Sequence, residues 1–378
     1  MVNPLMSITS DLHLEPCAWK DHPSLAGDAY YGLEQIVEAA LSYKVKAVAL
    51  LGDVYNVRTP DPHTVAVCCS AIERLWRNDI QVLYIQGQHE LSRDTPWLNV
   101  HLWPKHIHKL CIELVDGVVA YGLDWTPASR VVKELEAIPA ETSILLSHQV
   151  WHEFHGSKID TECSFADVPE HVTMVFTGDY HKHFVTEHRN RGGKVMKVCS
   201  PGSICMQSRS EPPHKAFFML MDDGVAHSVA LKSRKCLEFD IEDADSLESF
   251  LHPKNIEWLV EPQSGVPENI AKPMLVVHYP HDLSDAYQRL TKSLGSKVHL
   301  FPVAKRTQTA PKPKRLSVKS GLESALSHVM TPNSAEHKDA IRLCRSTDVK
   351  SELECMKDDF LREYYKQGHP KQRGAASR

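Results

Sequence analysis

The sequence predicts an α/β layered protein carrying a second, smaller α+β domain. Two observations carry that expectation. Near-continuous apolar runs alternate with stretches of helical spacing in the N-terminal half, and each run closes on polar residues. Strands apolar at every position belong to sheets covered on both faces, and strand–helix alternation builds such layers.

The elements follow in order. Leu5 to Thr9 reads as a buried strand ending at Ser10-Asp11, and Tyr30 to Ser42 has helical spacing. Lys46 to Leu51 is the second strand, closed by Gly52-Asp53; Thr64 to Trp76 is helical; Gln81 to Ile85 is the third strand, followed by Gly87-Gln88-His89. Ser143 to Leu146 and Val172 to Phe176 are strands ending at Ser147-His148 and Thr177-Gly178-Asp179. His183 to Glu187, Lys194 to Cys199, Ala216 to Met221 and Val225 to Leu231 follow as strands, with hairpin turns at Gly192-Gly193 and Asp223-Gly224. This implies a mixed sheet or two packed sheets over residues 1–232. Residues 233–301 read as the α+β domain: strand Cys236 to Ile241, helix Asp245 to Leu251, strands Glu257 to Val260 and Met274 to His278, helix Ser284 to Leu294, strand Lys297 to Phe301. Residues 302–319 hold three prolines and six Lys/Arg with no acid, an extended basic linker. In the tail, 320–378, Val349, Leu353, Met356, Phe360, Leu361 and Tyr364 share one face of an amphipathic helix, which would pack on the body or dock a partner.

Composition narrows the class. Of 378 residues, 42% are hydrophobic and 24% charged, the balance of an ordinary globular protein. No apolar run approaches the ~20 residues of a membrane helix. The start lacks the basic and apolar stretches of a secretory signal, and the ten cysteines form no CxxC pair, so a reducing, cytoplasmic compartment is expected. Residues 301–378 carry 16 Lys+Arg against 9 Asp+Glu, and the remainder 27 against 39. An acidic body with a basic tail suits an acidic metal site and an anion- or partner-binding tail. The 23 histidines point the same way, since imidazole is the commonest metal ligand.

Five clusters stand at carboxyl ends of strands, where α/β sheets place ligands: Asp11-Leu12-His13, Gly52-Asp53, Gly87-Gln88-His89-Glu90, Ser147-His148, and Gly178-Asp179-Tyr180-His181-Lys182-His183. Each alone fits a structural turn or a hydrogen-bonded histidine; the ordered set points to metal chemistry. Two divalent cations about 3.5–4 Å apart can clamp a phosphate and activate water, with a carboxylate bridging them, the task expected of Asp53. Mixed imidazole, carboxylate and amide donors suit manganese, iron or zinc better than a water-rich magnesium site.

The order DxH, GD, GQH, H, GDxH resembles the calcineurin-like metallophosphoesterases over roughly residues 5 to 230. Gly52 to Pro62, and Ser200-Pro201-Gly202-Ser203 followed by Glu211, resemble segments of the SbcD-type DNA nucleases, in which a cap, a linker and terminal helices also follow the core. The resemblance implies a two-sheet metallophosphoesterase sandwich with flanking helices, then the α+β cap and C-terminal helices. It implies two divalent ions, most simply manganese, and an exonuclease or endonuclease acting on DNA ends in repair. An SbcC-type ATPase would be held by the tail helices and a homodimer formed through core helices. Residue by residue, it implies Asp11, His13 and Asp53 as ligands of the first ion, Asp53 bridging, and Gln88 and His148 as ligands of the second. His89 would contact the scissile phosphate. In the last motif Asp179 and His181 stand where the family has two histidines; a competing register pairs His181 with His183. Asn56 and His183 are expected near substrate, Asn56 where relatives carry His. Gln88 is one methylene longer than the family's Asn. With Asp179, that leaves two other readings: another phosphoesterase acting on small esters, or a weakly active scaffold.

Lesser features are read blandly. His106 and His108, flanked by Lys105 and Lys109, read as a solvated basic loop; Gly202-Ser203 reads as a tight turn or an anion-facing pair of amides; Trp97 and Trp103 read as core or interface residues. The face Val65, Ala66, Cys69, Ile72, Leu75 and Trp76 reads as core.

Overall fold

The computed structural model describes residues 2–19, 22–90, 103–115, 117–155, 161–261, 263–283 and 285–305. Met1–Lys305 forms one compact unit. The expected tail helix, Trp97 and most of the basic linker lie outside the described residues.

The chain runs β1 (Pro4–Thr9), α1 (Asp28–Tyr43), β2 (Ala47–Leu51), α2 (Pro62–Trp76), β3 (Gln81–Ile85), β4 (Lys105–His106), β5 (Cys111–Val115), β6 (Val118–Leu123), α3 (Ala128–Glu136), β7 (Ile144–His148) and α4 (His152–His155). It continues with β8 (Met174–Gly178), β9 (Phe184–Arg189), β10 (Val195–Ser200), β11 (Lys215–Met221) and β12 (Ala226–Leu231). One six-stranded sheet has the order β12-β11-β1-β2-β3-β4, and a second has β5-β6-β7-β8-β10-β9. β1, β2 and β3 are mutually parallel, as are β6, β7 and β8, so each sheet gathers several strand carboxyl ends on one edge.

The sequence alternation explains the sandwich. Ala47, Ala49 and Leu51 of β2 face Ile144, Leu146, Met174 and Phe176 of the opposite sheet. Val48, Leu50, Val82 and Tyr84 point outward into a layer formed with α1 and α2, through Ile36, Val37, Cys68 and Ile72. On the other outer face Leu145 and Val175 pack with Val131 and Leu135 of α3 and with Trp151 and Phe165. A strand buried on both faces is apolar throughout, which is why those runs were continuous.

The cap comprises β13 (Cys236–Asp240), α5 (Ala244–Phe250), α6 (Pro253–Val260), α7 (Glu268–Ala271), β14 (Met274–Pro280), α8 (Ala286–Leu294) and β15 (His299–Lys305), and its three strands are parallel. It is tied to the core: Met206 and Leu25 pack with Met274, Val276 and Phe301. Arg234, 7% exposed, binds Asp28 Oδ2 at 3.1 Å and the carbonyls of Lys272 and Asn269 at 2.8 and 3.0 Å.

Several expectations need correction. Glu257 to Val260 is not a strand but the end of α6, whose start is fixed by Pro253 and by His252 accepting from Lys254 N–H. β15 runs to Lys305, so the linker does not begin at 302. Between β3 and β7, where the sequence pattern predicts no element, the described residues hold β4, β5, β6 and α3. His106 is not in a solvated loop: it lies on β4, stacks on Tyr84 at 4.8 Å and pairs with buried Asp124 at 2.9 Å. On α2 the buried face is Thr64, Cys68, Ala71, Ile72 and Leu75, while Ala66 and Trp76 are exposed and Trp76 stacks on Trp103 at 5.4 Å.

Candidate metal centre

Each strand edge delivers a turn. Asp11 and His13 follow β1, Asp53 follows β2, Gln88 and His89 follow β3, His148 ends β7, and Asp179 and His181 follow β8. The loops are laced together: Asp11 N–H donates to Gly52 O at 3.1 Å, His13 N–H to Asp53 O at 2.9 Å, and Asp179 N–H to the Asp11 carboxylate at 3.2 Å. The backbone is left-handed at Asp11, His13, Asp53 and Asp179. Side chains rarely adopt that conformation, and it concentrates where function holds it. Two glycines are required by close approach. A Cβ on Gly52 would lie 2.5 Å from His148 Nδ1, and one on Gly87 would collide with the Asp53 carboxylate.

The side chains converge on Asp53. Its Oδ2 lies 3.5 Å from His148 Nε2 and 3.8 Å from Nε2 of both His13 and His89. Asp11 Oδ1 lies 3.5 Å from His181 Nε2 and 3.9 Å from His13 Nε2. Three groups can each hold an ion: Asp11 with His13 and His181, His13 with Asp53 and His89, and Asp11 with Asp53 and His148.

The four imidazoles are oriented alike. Nδ1 of His13 faces Asn56 Oδ1 at 3.1 Å, that of His89 faces Asn56 O at 2.6 Å, that of His148 faces Leu51 O at 2.7 Å, and that of His181 faces Glu211 Oε1 at 2.9 Å. An oxygen acceptor at Nδ1 fixes the proton there and leaves Nε2 with its lone pair. All four Nε2 atoms then point inward. Those of His13 and His181 stand 3.1 Å apart, two lone pairs that repel unless a cation or proton lies between. His148 Nε2 and Gln88 Oε1 are buried with no hydrogen-bond partner among the described residues. Gln88 spends its amide nitrogen on Asp179 Oδ1 at 2.6 Å, which aims its oxygen elsewhere. A donor set of carboxylates, amide oxygen and inward imidazoles with orphaned acceptors fits divalent metal ions.

Charge agrees. Burial opposes ionisation of Asp53, yet the neighbouring His148, His13 and His89 hold its carboxyl well below the usual range. Burial also opposes protonation of His148, but Asp53 and Asp11 push its pKa well up. Without metal, a proton on His148 supplies positive charge the carboxylates call for; metal binding displaces such protons. Burial pushes His13 down to about 3, and burial pushes Asp11 up.

Two expected residues sit differently. Asn56 spends Oδ1 on His13 and Nδ2 on Glu15 Oε1 at 2.6 Å, so both its side-chain polar atoms are engaged within the fold. His183 has Nδ1 on Pro201 O at 3.0 Å and Nε2 on Ser228 at 2.7 Å, and stacks on Phe218, so neither nitrogen is free for a phosphate. In the last motif His181 Nε2 joins the centre beside Asp11, while Asp179 enters none of the three groups among the described residues and accepts from Gln88. Gly202 is a tight turn: its φ is +71° and a Cβ there would lie 2.7 Å from His183 N.

Other residues support the centre without a role assigned from sequence. Glu211 holds His181 and is itself bound by Lys215 Nζ and Ser203 Oγ, both at 2.8 Å. Burial pushes Glu211 up, but His181 and Lys215 bring it down to about 2. Buried Glu90 accepts from Val54, Tyr55 and Gly87 N–H, joining the Asp53 turn to the Gln88 turn; burial and the Asp53 charge push it up to about 8. Both had a trace in sequence, Glu211 after the PGS segment and Glu90 at the end of the third cluster, but neither was given a role.

Among curated proteins, the chain is 25% identical over 260 residues to the "DNA double-strand break repair protein Mre11" of Haloferax volcanii, covering 62% of this chain and 58% of that one. It is 26% identical over 166 residues to the protein of the same name from Methanosarcina acetivorans, covering 41% of this chain and 27% of that one. The chain thus spans little more than half the length of these relatives, or less. Among solved structures, a dimetal phosphatase from Danio rerio aligns at a TM-score of 0.36 and 11% identity, over 61% of this chain and 100% of that one. Residues 5–223 match the calcineurin-like phosphoesterase superfamily domain, more than half of the chain, and the protein belongs to that superfamily.

Proposed function

We propose that the chain is the nuclease subunit of an SbcD-type complex, hydrolysing DNA phosphodiesters at or near ends with two divalent ions, manganese foremost. The observation that carries this is the inward alignment of four Nε2 atoms, three around Asp53 and that of His181 beside Asp11, with His148 Nε2 and Gln88 Oε1 left unpaired. By the family's pattern Asp11, His13, Asp53 and His181 would hold one ion and Asp53, Gln88, His148 and Asp179 the other, with Asp179 tied to that set through Gln88. When bound, the ions supply a nucleophile at neutral pH and offset charge growing on the phosphoryl oxygens. His89 lies at the open side, its side chain 37% exposed. With Nδ1–H donated to Asn56 O, its Nε2, when protonated, can donate to the departing oxygen. The DNA repair names of the relatives favour DNA over small esters. An SbcC-type ATPase engaging residues 320–378 and a homodimer through the outer face of α2, where Trp76 and Trp103 stack, belong to the same reading.

The test is cleavage of end-labelled linear DNA with added Mn2+, beside a small chromogenic phosphodiester, with Asp53→Ala and His89→Ala as controls. Degradation from ends that chelator stops and both variants lose is expected. Cleavage of the small ester alone, with the ATPase partner also supplied, would overturn the DNA reading.

A further inference from the structure

The side chain of Asn56 ends in one acceptor and one donor group, and turning the amide over exchanges them. Which way it faces decides the state of a metal ligand. Asn56 Oδ1 faces His13 Nδ1 at 3.1 Å, so a neutral ring carries its proton on Nδ1 and keeps the Nε2 lone pair for a cation. With the amide reversed, Nδ2 would donate to His13 Nδ1 and the ring proton would move to Nε2. His13 Nε2–H would then point at His181 Nε2, 3.1 Å away, and close a hydrogen bond across the place where an ion belongs. That reversed state is well hydrogen-bonded, so the choice between the two has to be made outside the pair of imidazoles.

Glu15 makes it. Its Oε1 accepts from Asn56 Nδ2 at 2.6 Å, a short contact of the charge-assisted kind. An ionised carboxylate only accepts, so reversing the amide would set oxygen against oxygen. A hydrogen bond to a charged group biases such a choice by about ten-fold or more. The backbone fixes the meeting: Leu14 pairs with Tyr55 in a parallel bridge, Leu14 N–H donates to Val54 O at 2.8 Å, and Glu15 and Asn56 are the next residues of the two segments. Asn56 also accepts from His89 Nδ1 through its carbonyl at 2.6 Å, so one residue seats two imidazoles. Glu15 stands two residues past His13, outside all five clusters.

Resting on the two-ion reading, we propose that Glu15 is a positioning residue of the metal centre: it locks the Asn56 amide, and through it the His13 proton on Nδ1, so that an ion meets a lone pair at His13 Nε2.

The test uses the full chain with isotope-labelled imidazoles, freed of metal with chelator and studied by nitrogen magnetic resonance at neutral pH. The His13 signals are identified by their loss in His13→Gln. Wild-type His13 should be protonated on Nδ1. Glu15→Gln keeps the length of the side chain but can donate as well as accept, and Glu15→Ala removes the partner. Both should shift the ratio of the two ring forms toward Nε2–H by about ten-fold. In calorimetric titration with Mn2+ both should weaken one ion by at least about ten-fold and leave the other at wild-type affinity. A merely structural Glu15 would lower the melting temperature and leave the His13 proton and both affinities unmoved, and that result overturns the proposal. So does wild-type His13 protonated on Nε2, a measurement that needs no Glu15 variant to fold. Wild type taking up fewer than two ions sinks the two-ion reading instead, a result distinct from an unmoved His13 proton, which is read without metal.

Discussion

Lys215→Met is expected to destabilise the metal-free protein by about 3–5 kcal/mol, the range for stripping one partner from a buried ion pair. The side chain is 1% exposed, and its ammonium contacts Glu211 Oε2 and Ser203 Oγ, both at 2.8 Å. Linkage sets an upper bound on the ion pair's share. Glu211 is held at about 2 against an ordinary 4.5. At about 1.4 kcal/mol per unit, that gap is worth about 3 kcal/mol, shared between His181, the larger hydrogen bond, and Lys215, so it is an upper bound for Lys215 alone. The sign is that of a depressed acid: the stability is fully present above pH 4.5 and is lost as pH falls through the folded value.

Glu211→Gln should cost a similar amount by leaving the ammonium buried alone. The double variant Lys215→Met/Glu211→Gln removes both charges together and should be no worse than either single change. The assay is urea denaturation of chelator-treated protein at pH 7, repeated toward pH 3, where the acid-induced loss should flatten in the variants. A single-variant cost below about 1 kcal/mol, or strictly additive costs, would refute the reasoning, because a coupled pair cannot behave as two independent sites. Manganese titration of the same proteins should show weaker uptake of one ion, since Glu211 sets the His181 ring.

Other consequences are equally concrete. Gly178→Ala places a Cβ against His148 Nδ1 and 2.5 Å from Leu51 O, where their hydrogen bond lies, so the variant should stay folded by circular dichroism yet lose one bound ion. His299, 9% exposed, is pushed down to about 4 by burial and by nearby Arg234. Its contribution is complete above about pH 6.5 and is lost as pH falls through 4, up to about 3 kcal/mol, and His299→Gln should flatten the urea midpoint over that window. Arg234→Met leaves Asp28 and two carbonyls unpaired between core and cap. It should cost about 3–5 kcal/mol and make the chain near residue 235 sensitive to limited proteolysis.

The sandwich was legible where both faces of a strand are buried. β1, β2, β3, β7 and β8 read directly as apolar runs because helices cover one side and the other sheet the other. β5 did not, being an edge strand paired only with β6, half-exposed and carrying Glu113. Glu257 to Val260 misled for the opposite reason. A short apolar run fits helix or strand, and what decided it was Pro253 at the helix start, with Ile256, Leu259 and Val260 turned onto the cap core. The centre divides the same way. Residues at strand ends were found because topology places them. Lys215, and the roles of Glu211 and Glu90, rest on contacts across the fold that no spacing announces.

That division follows from how the centre is built. Parallel strands carry their side chains to one edge, but a carboxylate and an imidazole two residues apart reach a common point only if the chain turns sharply. Asp11, His13, Asp53 and Asp179 take left-handed backbone to do so. Such a conformation costs on the order of 1–3 kcal/mol at each position. The opposing bonds must come from elsewhere. Asp11 N–H and His13 N–H bind the β2 turn, and Glu90 gathers Val54, Tyr55 and Gly87 N–H. Asn56 orients two imidazoles at once, one with its side chain and one with its carbonyl. The ring orientations are therefore set by oxygens outside the centre before any ion arrives, and little ordering remains to oppose binding. This is why the sequence shows the ligands and conceals what aims them: the ligands are fixed by strand order, whereas their support needs only some acceptor at the right place, which many sequences can supply.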